Sequence, residues 1–139
     1  MYQKSGGNLV RDKEQGNCSC QANSAGDCEK RRFEIPLKIE SQNKFQWRHW
    51  RYYDHYRKKI FVMIKYVMGK VNNKREKKLI KIISYRKRLL DYGNLVGGAK
   101  PIPDALVALG WLWDDSPEWS EVVYEQVKVK NGERTEVVI

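Results

Sequence analysis

The first clear pattern along the chain is an alternation of apolar and polar residues over positions 33–39. A period of two predicts a β-strand with one face buried. Pro36 lies within this run and has no backbone N–H, so the strand is expected at a sheet edge or with a bulge. The polar residues 41–43 then predict a break.

Over residues 47–68 the apolar positions recur every three or four residues, which predicts one long amphipathic helix. Basic side chains fill most of its remaining surface. Gly69 and the pair Asn72-Asn73 predict the end of the helix and a loop. The predicted buried stripe consists of Trp50, Tyr53, Ile60, Phe61, Ile64, Val67 and Met68.

The second half of the chain predicts three more strands and a shorter helix. Residues 79–85 are rich in β-branched side chains and predict a buried strand. Gly97-Gly98 predicts a flexible joint, Pro101 and Pro103 the start of a helix, and Gly110 its end. Residues 122–129 and 135–139 predict two strands.

The dipeptide Asn131-Gly132 predicts a hairpin turn between the last two strands. The complete order of elements predicts an α+β fold. We expect a two-layer domain in which a small mixed β-sheet packs with the long amphipathic helix and the shorter helix.

A chain of 139 residues is long enough for one domain, which we place at residues 32–139. Residues 1–31 are rich in Gly, Asn, Ser and charge and predict a flexible tail. The tail carries Cys18, Cys20 and Cys28, whose spacing matches zinc ligands poorly, so incidental thiols are favoured over a zinc site. Three cysteines, no long apolar run and no secretory signal predict a reducing cytoplasm.

Charge is distributed very unevenly along the chain, whose formal net charge is +10. Residues 41–90 hold 16 basic and 2 acidic side chains, a net +14, whereas residues 101–139 hold 3 basic and 8 acidic ones, a net −5. A basic middle followed by an acidic end indicates a polyanion-binding face beside a carboxylate cluster. The alternative is a solvated basic face without a ligand.

The candidate chemistry lies in three aspartates and one lysine: Asp91, Asp114, Asp115 and Lys100. Neighbouring carboxylates repel each other, and Mg²⁺ supplies a counter-charge with a preference for oxygen ligands. Nucleases use such a metal to neutralise a phosphodiester and activate water. In the alternative interpretation residues 114–117 form an ordinary turn, and Asp104 lies in the first turn of a helix near its dipole.

The order of these residues resembles the RusA family of Holliday junction resolvases, particularly its phage-type members. That family carries Asp-x-Asp-Asn-Leu, then Lys, Asp-Ala-Leu, Gly and Asp-Asp. The residues on this pattern are Asp91, Asn94, Leu95, Lys100, Asp104, Ala105, Leu106, Gly110, Asp114 and Asp115. Upstream, Asn43 and the His49-Trp50 segment before a basic helix are similar too, so the resemblance covers roughly residues 33–139.

The resemblance implies a homodimeric, structure-selective endodeoxyribonuclease that resolves four-way DNA junctions by paired symmetric nicks, in a bacterial or phage-infected cell. It implies Mg²⁺, with Mn²⁺ as a substitute, held by Asp91, Asp114 and Asp115, with Lys100 contacting the phosphate. Asn94 would orient the site. The side chains expected to contact DNA are Lys44, Arg48, Arg51, Arg57, Lys58, Arg86, Lys87, Arg88 and Asn94.

One residue departs from the family pattern: Gly93 stands where the family has its second aspartate. A metal-ligating carboxylate is therefore missing. The alternative function is a non-catalytic module that binds DNA junctions or single strands. Single-strand binding would use aromatic side chains interleaved with cations, such as Trp47, Tyr52 and Tyr56.

Overall fold

A four-stranded mixed sheet with helices on one face forms the fold in the computed structural model, which describes residues 30–139. The residues from Arg32 to Ile139 form one compact unit. The α+β prediction is confirmed. The cysteines of the predicted tail lie outside the described residues. The elements in chain order are β1 (Arg32–Ile35), α1 (Asn43–Gln46), α2 (Trp50–Met68), β2 (Lys78–Arg86), α3 (Tyr92–Ala99), α4 (Pro101–Ala108), β3 (Ser120–Lys128) and β4 (Arg134–Val138).

The sheet has the strand order β1-β4-β2-β3. Strand β2 pairs in parallel with β3 on one edge and antiparallel with β4 on the other. The predicted hairpin between the last two strands is therefore wrong. Gly132 does make a turn, with φ of 76°, but the chain then crosses to the far edge of β2. In this arrangement the apolar strand β2 has a partner strand on both of its edges. The residues of a local turn do not encode this pairing, so the turn alone could not predict it.

Helix α2 packs its apolar stripe on the sheet. Its buried residues are Tyr56, Ile60, Ile64 and Met68, and they share one core with Ile80 and Ile82 of β2. Trp50, predicted to be buried, is 66% exposed because it occupies the first helical turn, beyond the core.

Among residues 30–139, no helix combines the length and apolar character needed to cross a membrane.

Strand β1 is an edge strand, as Pro36 predicts, but it ends at Ile35 rather than continuing to residue 39. Leu37 and Ile39 remain buried beyond its end. Side chains satisfy their carbonyls: the Thr135 hydroxyl donates to Leu37 at 2.6 Å, and the Arg86 guanidinium donates to Ile39 at 2.9 Å. The alternating pattern therefore reports burial correctly, whereas the proline ends the backbone ladder.

Helix α3 replaces the flexible joint predicted at Gly97-Gly98, and that prediction is wrong. Both glycines lie inside the helix. A Cβ built on Gly98 would lie 1.7 Å from the Glu40 carbonyl oxygen. The glycine therefore permits close contact between α3 and the segment after β1. The Tyr56 hydroxyl fixes the same place, donating to the Gly98 carbonyl at 2.8 Å and accepting from the Glu40 N–H at 3.0 Å.

Candidate functional site

Lys100 lies at the junction between α3 and α4 and contacts two carboxylates. Its Nζ donates to Asp104 Oδ1 at 3.0 Å and to Asp115 Oδ2 at 2.6 Å. Asp104 lies four residues later, in the first turn of α4, whereas Asp115 comes from the loop before β3. We call Lys100, Asp104 and Asp115 the Lys100 cluster. It joins three of the residues on the RusA-like pattern.

The contacts within the Lys100 cluster keep its charges paired. The hydrogen bond from Lys100 lowers the pKa of Asp115 below its ordinary value of 3.8, and partial burial only partly opposes that effect. The hydrogen bond to Asp115 is also the main cause that raises the pKa of Lys100. Lys100 and Asp115 are therefore both ionised across the neutral range.

Two tyrosines lie beside the cluster. The rings of Tyr92, at the start of α3, and Tyr124, on β3, are 6.4 Å apart between centroids and meet edge to face. Burial raises the pKa of the Tyr124 hydroxyl, and the charges of Lys100 and Asp115 act on it as well. The start of α3 therefore lies on the same side of the domain as the cluster.

The other two predicted aspartates bond locally. Asp91 is the N-cap residue of α3, and its carboxylate accepts a hydrogen bond from the Asn94 side-chain amide at 2.5 Å. The Asn94 side-chain oxygen accepts from the Asn43 N–H at 3.1 Å. Asn94 thus orients Asp91 against α1. The Asp114 carboxylate accepts from the Ser116 N–H at 3.3 Å, within its own turn.

These positions do not make a three-carboxylate metal site. Within residues 30–139, no group of three or more His, Cys, Asp or Glu side chains is placed to hold a metal ion. Asp115 is instead neutralised by the Lys100 ammonium. The arrangement of side chains therefore does not fit a preformed Mg²⁺ site, and Gly93 places no side chain beside Asp91.

A groove connects the Lys100 cluster with the basic helix. It has a volume of about 460 Å³ and lies between α2 and α4. Its floor is apolar and its charged lining residues are few. It is lined by Arg57, Lys58, Phe61 and Val62 of α2 and by Pro101, Asp104, Ala105 and Ala108 of α4. The groove therefore places cations of α2 and a carboxylate of the cluster on one continuous surface.

Most of the cations predicted to contact DNA lie on the surface. Arg57 and Lys58 both contact Asp54, at 3.1 and 2.8 Å, and these contacts lower the pKa of Asp54. Arg48 and Arg51 lie over the rings of neighbouring aromatics. Three further members are exposed. Lys44 pairs with Glu40, and the other two are Lys87 and Arg88.

Arg86 differs from the rest of that set because its side chain is buried. Its guanidinium donates to the carbonyls of Ile39 and Arg88, at 2.9 and 2.6 Å. Burial also lowers its pKa. Arg86 therefore connects β2 to two chain segments, and its burial leaves it less surface for a DNA phosphate than the exposed cations have.

The sequence interpretation gave Asp104 only a dipole role and did not single out Tyr124. A signal for Asp104 was present, since Lys100 and Asp104 stand at the i, i+4 spacing that pairs opposite charges on a helix. No signal marked Tyr124. It joins the cluster through the parallel pairing of β3 with β2, which no local pattern predicts.

Comparisons with protein-family models and with curated proteins find no match to this chain. The similarity to RusA resolvases therefore rests on the order of the residues in the motif.

Proposed function

We propose that this protein binds branched DNA along α2 and cleaves it beside the Lys100 cluster, as a structure-selective endodeoxyribonuclease of four-way junctions. The observation that carries the proposal is the contact of Lys100 with Asp115, 15 residues apart in sequence. These are the two residues to which the RusA-like order assigns phosphate contact and catalysis. Their contact supports the proposal because two residues of the motif that are distant in sequence lie side by side.

Electrostatics supports DNA as the ligand. Residues 41–90 carry a net +14, and α2 contributes exposed cations from its first turn to its last. Asp54 is the one acidic residue within α2, and its carboxylate contacts only Arg57 and Lys58. Such a surface binds phosphates without reading base sequence, as a structure-selective enzyme requires.

The groove between α2 and α4 supports the path of a strand from the binding surface to the cluster. A phosphodiester that contacts Arg57 and Lys58 lies along the same groove as Asp104. The ammonium group of Lys100 can donate charge-assisted hydrogen bonds to non-bridging phosphate oxygens as well as to carboxylates. In this proposal the two aspartates hold Lys100 in position until the phosphate competes for it.

Mg²⁺ belongs to the proposal as the cofactor, with Mn²⁺ as a substitute, and so does a homodimer that places two sites on one junction. We derive no catalytic step through the metal because the side chains form no preformed site for it. The metal requirement is instead a quantity that the experiment measures.

The test is cleavage of a synthetic four-way junction by the wild-type protein, with Mg²⁺, with Mn²⁺ and with neither. Asp115→Asn removes the carboxylate that contacts Lys100 and is expected to reduce cleavage at least 100-fold while junction binding persists. Glu125→Gln is the matched control, because Glu125 is an exposed carboxylate that pairs with Lys81 across strands β2 and β3, outside α2 and the Lys100 cluster, and this variant should cut like the wild type. Equal cleavage by Asp115→Asn and the wild type would contradict the proposal.

A non-catalytic module that binds DNA junctions is the second candidate function. Two observations favour it: Gly93 removes a carboxylate beside Asp91, and residues 30–139 hold no three-carboxylate group. In this case the basic surface of α2 would bind the same DNA, and the Lys100 cluster would only connect α4 to the loop before β3.

Gly93→Asp separates the two candidates. A Cβ at Gly93 meets no atom within 4 Å, so the aspartate fits without rearrangement. If the missing carboxylate limits turnover, this variant cuts the junction faster than the wild type at equal junction affinity. Absence of nicking in both proteins, with tight binding in both, would establish the binding module.

A further inference from the structure

Two tryptophans flank the turn that carries Asp115. Trp113 precedes the turn and Trp119 follows it, and their ring centroids are 6.3 Å apart with an interplanar angle of 59°. The guanidinium carbon of Arg75, from the loop before β2, lies 5.1 Å from the Trp119 centroid and 6.0 Å from that of Trp113. We call these three residues the Trp-Arg platform.

The backbone holds the platform firmly. Trp119 donates its N–H to the Ser116 carbonyl, and its own carbonyl accepts from the Lys78 N–H, both at 3.0 Å. Trp113 follows Leu112, which is fully buried. Trp113 itself is 39% exposed, so part of its ring surface faces solvent. Rigid aromatic surface that remains open is suited to stacking.

Trp111 shows what a structural tryptophan looks like in the same segment. It is buried, its ring packs edge to face on Phe33 at 5.2 Å, and its indole N–H donates to the Gly69 carbonyl at 2.9 Å. The platform has neither this burial nor this packing, so the core does not account for it.

Cations dominate the Arg75 side of the platform, whereas residues 113–121, on the tryptophan side, carry Asp114, Asp115, Glu118 and Glu121. Residues 70–78 hold Lys70, Lys74, Arg75, Lys77 and Lys78 against the single acid Glu76, which pairs with Lys78 at 3.2 Å. Within the described part of the chain, Arg75 forms no ion pair. Aromatic faces among cations bind nucleic-acid strands whose bases are unstacked, because the bases stack and the phosphates neutralise the cations.

We propose that the Trp-Arg platform stacks one unpaired nucleobase of a DNA strand that passes the Asp115 turn. This inference rests on the proposed function and adds a substrate class to it: DNA with an unpaired base next to the Lys100 cluster. A paired base inside a duplex offers no free face. The platform therefore favours branch points, gaps and bulges over continuous duplex.

The test compares two fluorescein-labelled duplexes in anisotropy titrations with the full-length protein. One carries a three-thymine bulge, and the other carries three abasic tetrahydrofuran residues at the same place, with identical phosphates. Stacking predicts that the thymine probe binds roughly 5- to 100-fold more tightly. Equal affinity of the wild type for the two probes overturns the inference without any variant.

Variants assign the effect to the platform. Trp113→Ala and Arg75→Ala should each lose most of the preference for thymine while still binding the abasic probe. Trp113→Phe keeps a ring and should retain part of the preference, which controls for folding. Tyr66→Ala is the matched control, since Tyr66 is an equally exposed aromatic (88%) that lies on α2, outside the platform. Full preference in both alanine variants overturns the assignment.

The outcomes also separate this inference from the proposed function. A protein that binds both probes equally, with the salt dependence expected for phosphate contacts, refutes only the stacking platform. A protein that binds neither probe refutes both the platform and the proposed DNA binding.

Discussion

Lys100 shows how much of the site is decided by single residues. The Lys100 ammonium group, between α3 and α4, pairs with two carboxylates. Asp104 lies in the first turn of α4, and Asp115 lies in the loop before β3. The sequence identified Lys100 and Asp115 as candidates, from their place in an ordered motif. It did not predict that Lys100 itself would pair with Asp115, because this contact depends on how the loop before β3 packs against α3 and α4.

The ion pair between Lys100 and Asp115 predicts that the pKa of Asp115 rises when Lys100 is replaced. Because the folded-state pKa of Asp115 is lowered below 3.8, its ion pair stabilises the fold above that pH and the contribution is lost as the pH falls through the folded-state value. Both side chains are more than a third exposed, so this contribution is at most about 1 kcal/mol. Lys100→Met should move the pKa of Asp115 upward to 3.8 or above, as measured by NMR of the carboxyl carbon.

Lys58→Met is the control for that titration, because Lys58 bonds to Asp54 and not to the cluster. It should raise the pKa of Asp54 and leave Asp115 unchanged. An Asp115 that titrates at the same pH in the wild type and in Lys100→Met would show that the ion pair does not form in solution.

The glycines of α3 provide a second prediction at this scale. Gly98→Ala places a Cβ 1.7 Å from the Glu40 carbonyl oxygen and should destabilise the protein by roughly 1–3 kcal/mol. Gly93→Ala meets open space and should stabilise the helix by up to about 1 kcal/mol. Urea denaturation of the two variants checks this opposite pair of effects, and a neutral Gly98→Ala would refute the close contact.

At the scale of elements, hydrophobic periodicity predicted most of the structure. Helix α2 ends at Met68 with Gly69 following, as predicted, and β2 differs from its predicted bounds by one residue at each end. The failures have identifiable causes. Helix α3 was missed because Gly93, Gly97 and Gly98 have low helix propensity, which tertiary contact with Glu40 overrides. Trp50 was misplaced because periodicity does not show where the core ends.

Helix α2 carries a prediction of its own. Loss of one cation that contacts a phosphate should reduce the slope of log affinity against log salt concentration by about 1. Arg51→Gln should therefore flatten the slope for four-way junction DNA. Lys81→Gln, with the same loss of charge, lies on the sheet face opposite Ile80 and Ile82 and should leave the slope unchanged. Equal slopes for Arg51→Gln and the wild type would remove Arg51 from the DNA contacts.

At the scale of the whole molecule, the sheet order determines which residues meet. Because β3 pairs in parallel with β2, Tyr124 and the loop before β3 lie beside α3 and α4. Local patterns favoured a hairpin in which the last two strands pair with each other. Such a hairpin would not by itself have placed β3 beside β2. The class of fold was therefore predictable from the order of elements, whereas the pairing of strands, and with it the composition of the Lys100 cluster, was not.

Strand-resolved mapping of cuts tests the central claim most directly. A four-way junction labelled in turn on each of its four strands is incubated with the full-length protein and Mg²⁺. The account predicts two nicks at symmetric positions on opposing strands, both absent in Asp115→Asn. An intact junction under all conditions, or nicks that persist unchanged in Asp115→Asn, would contradict it.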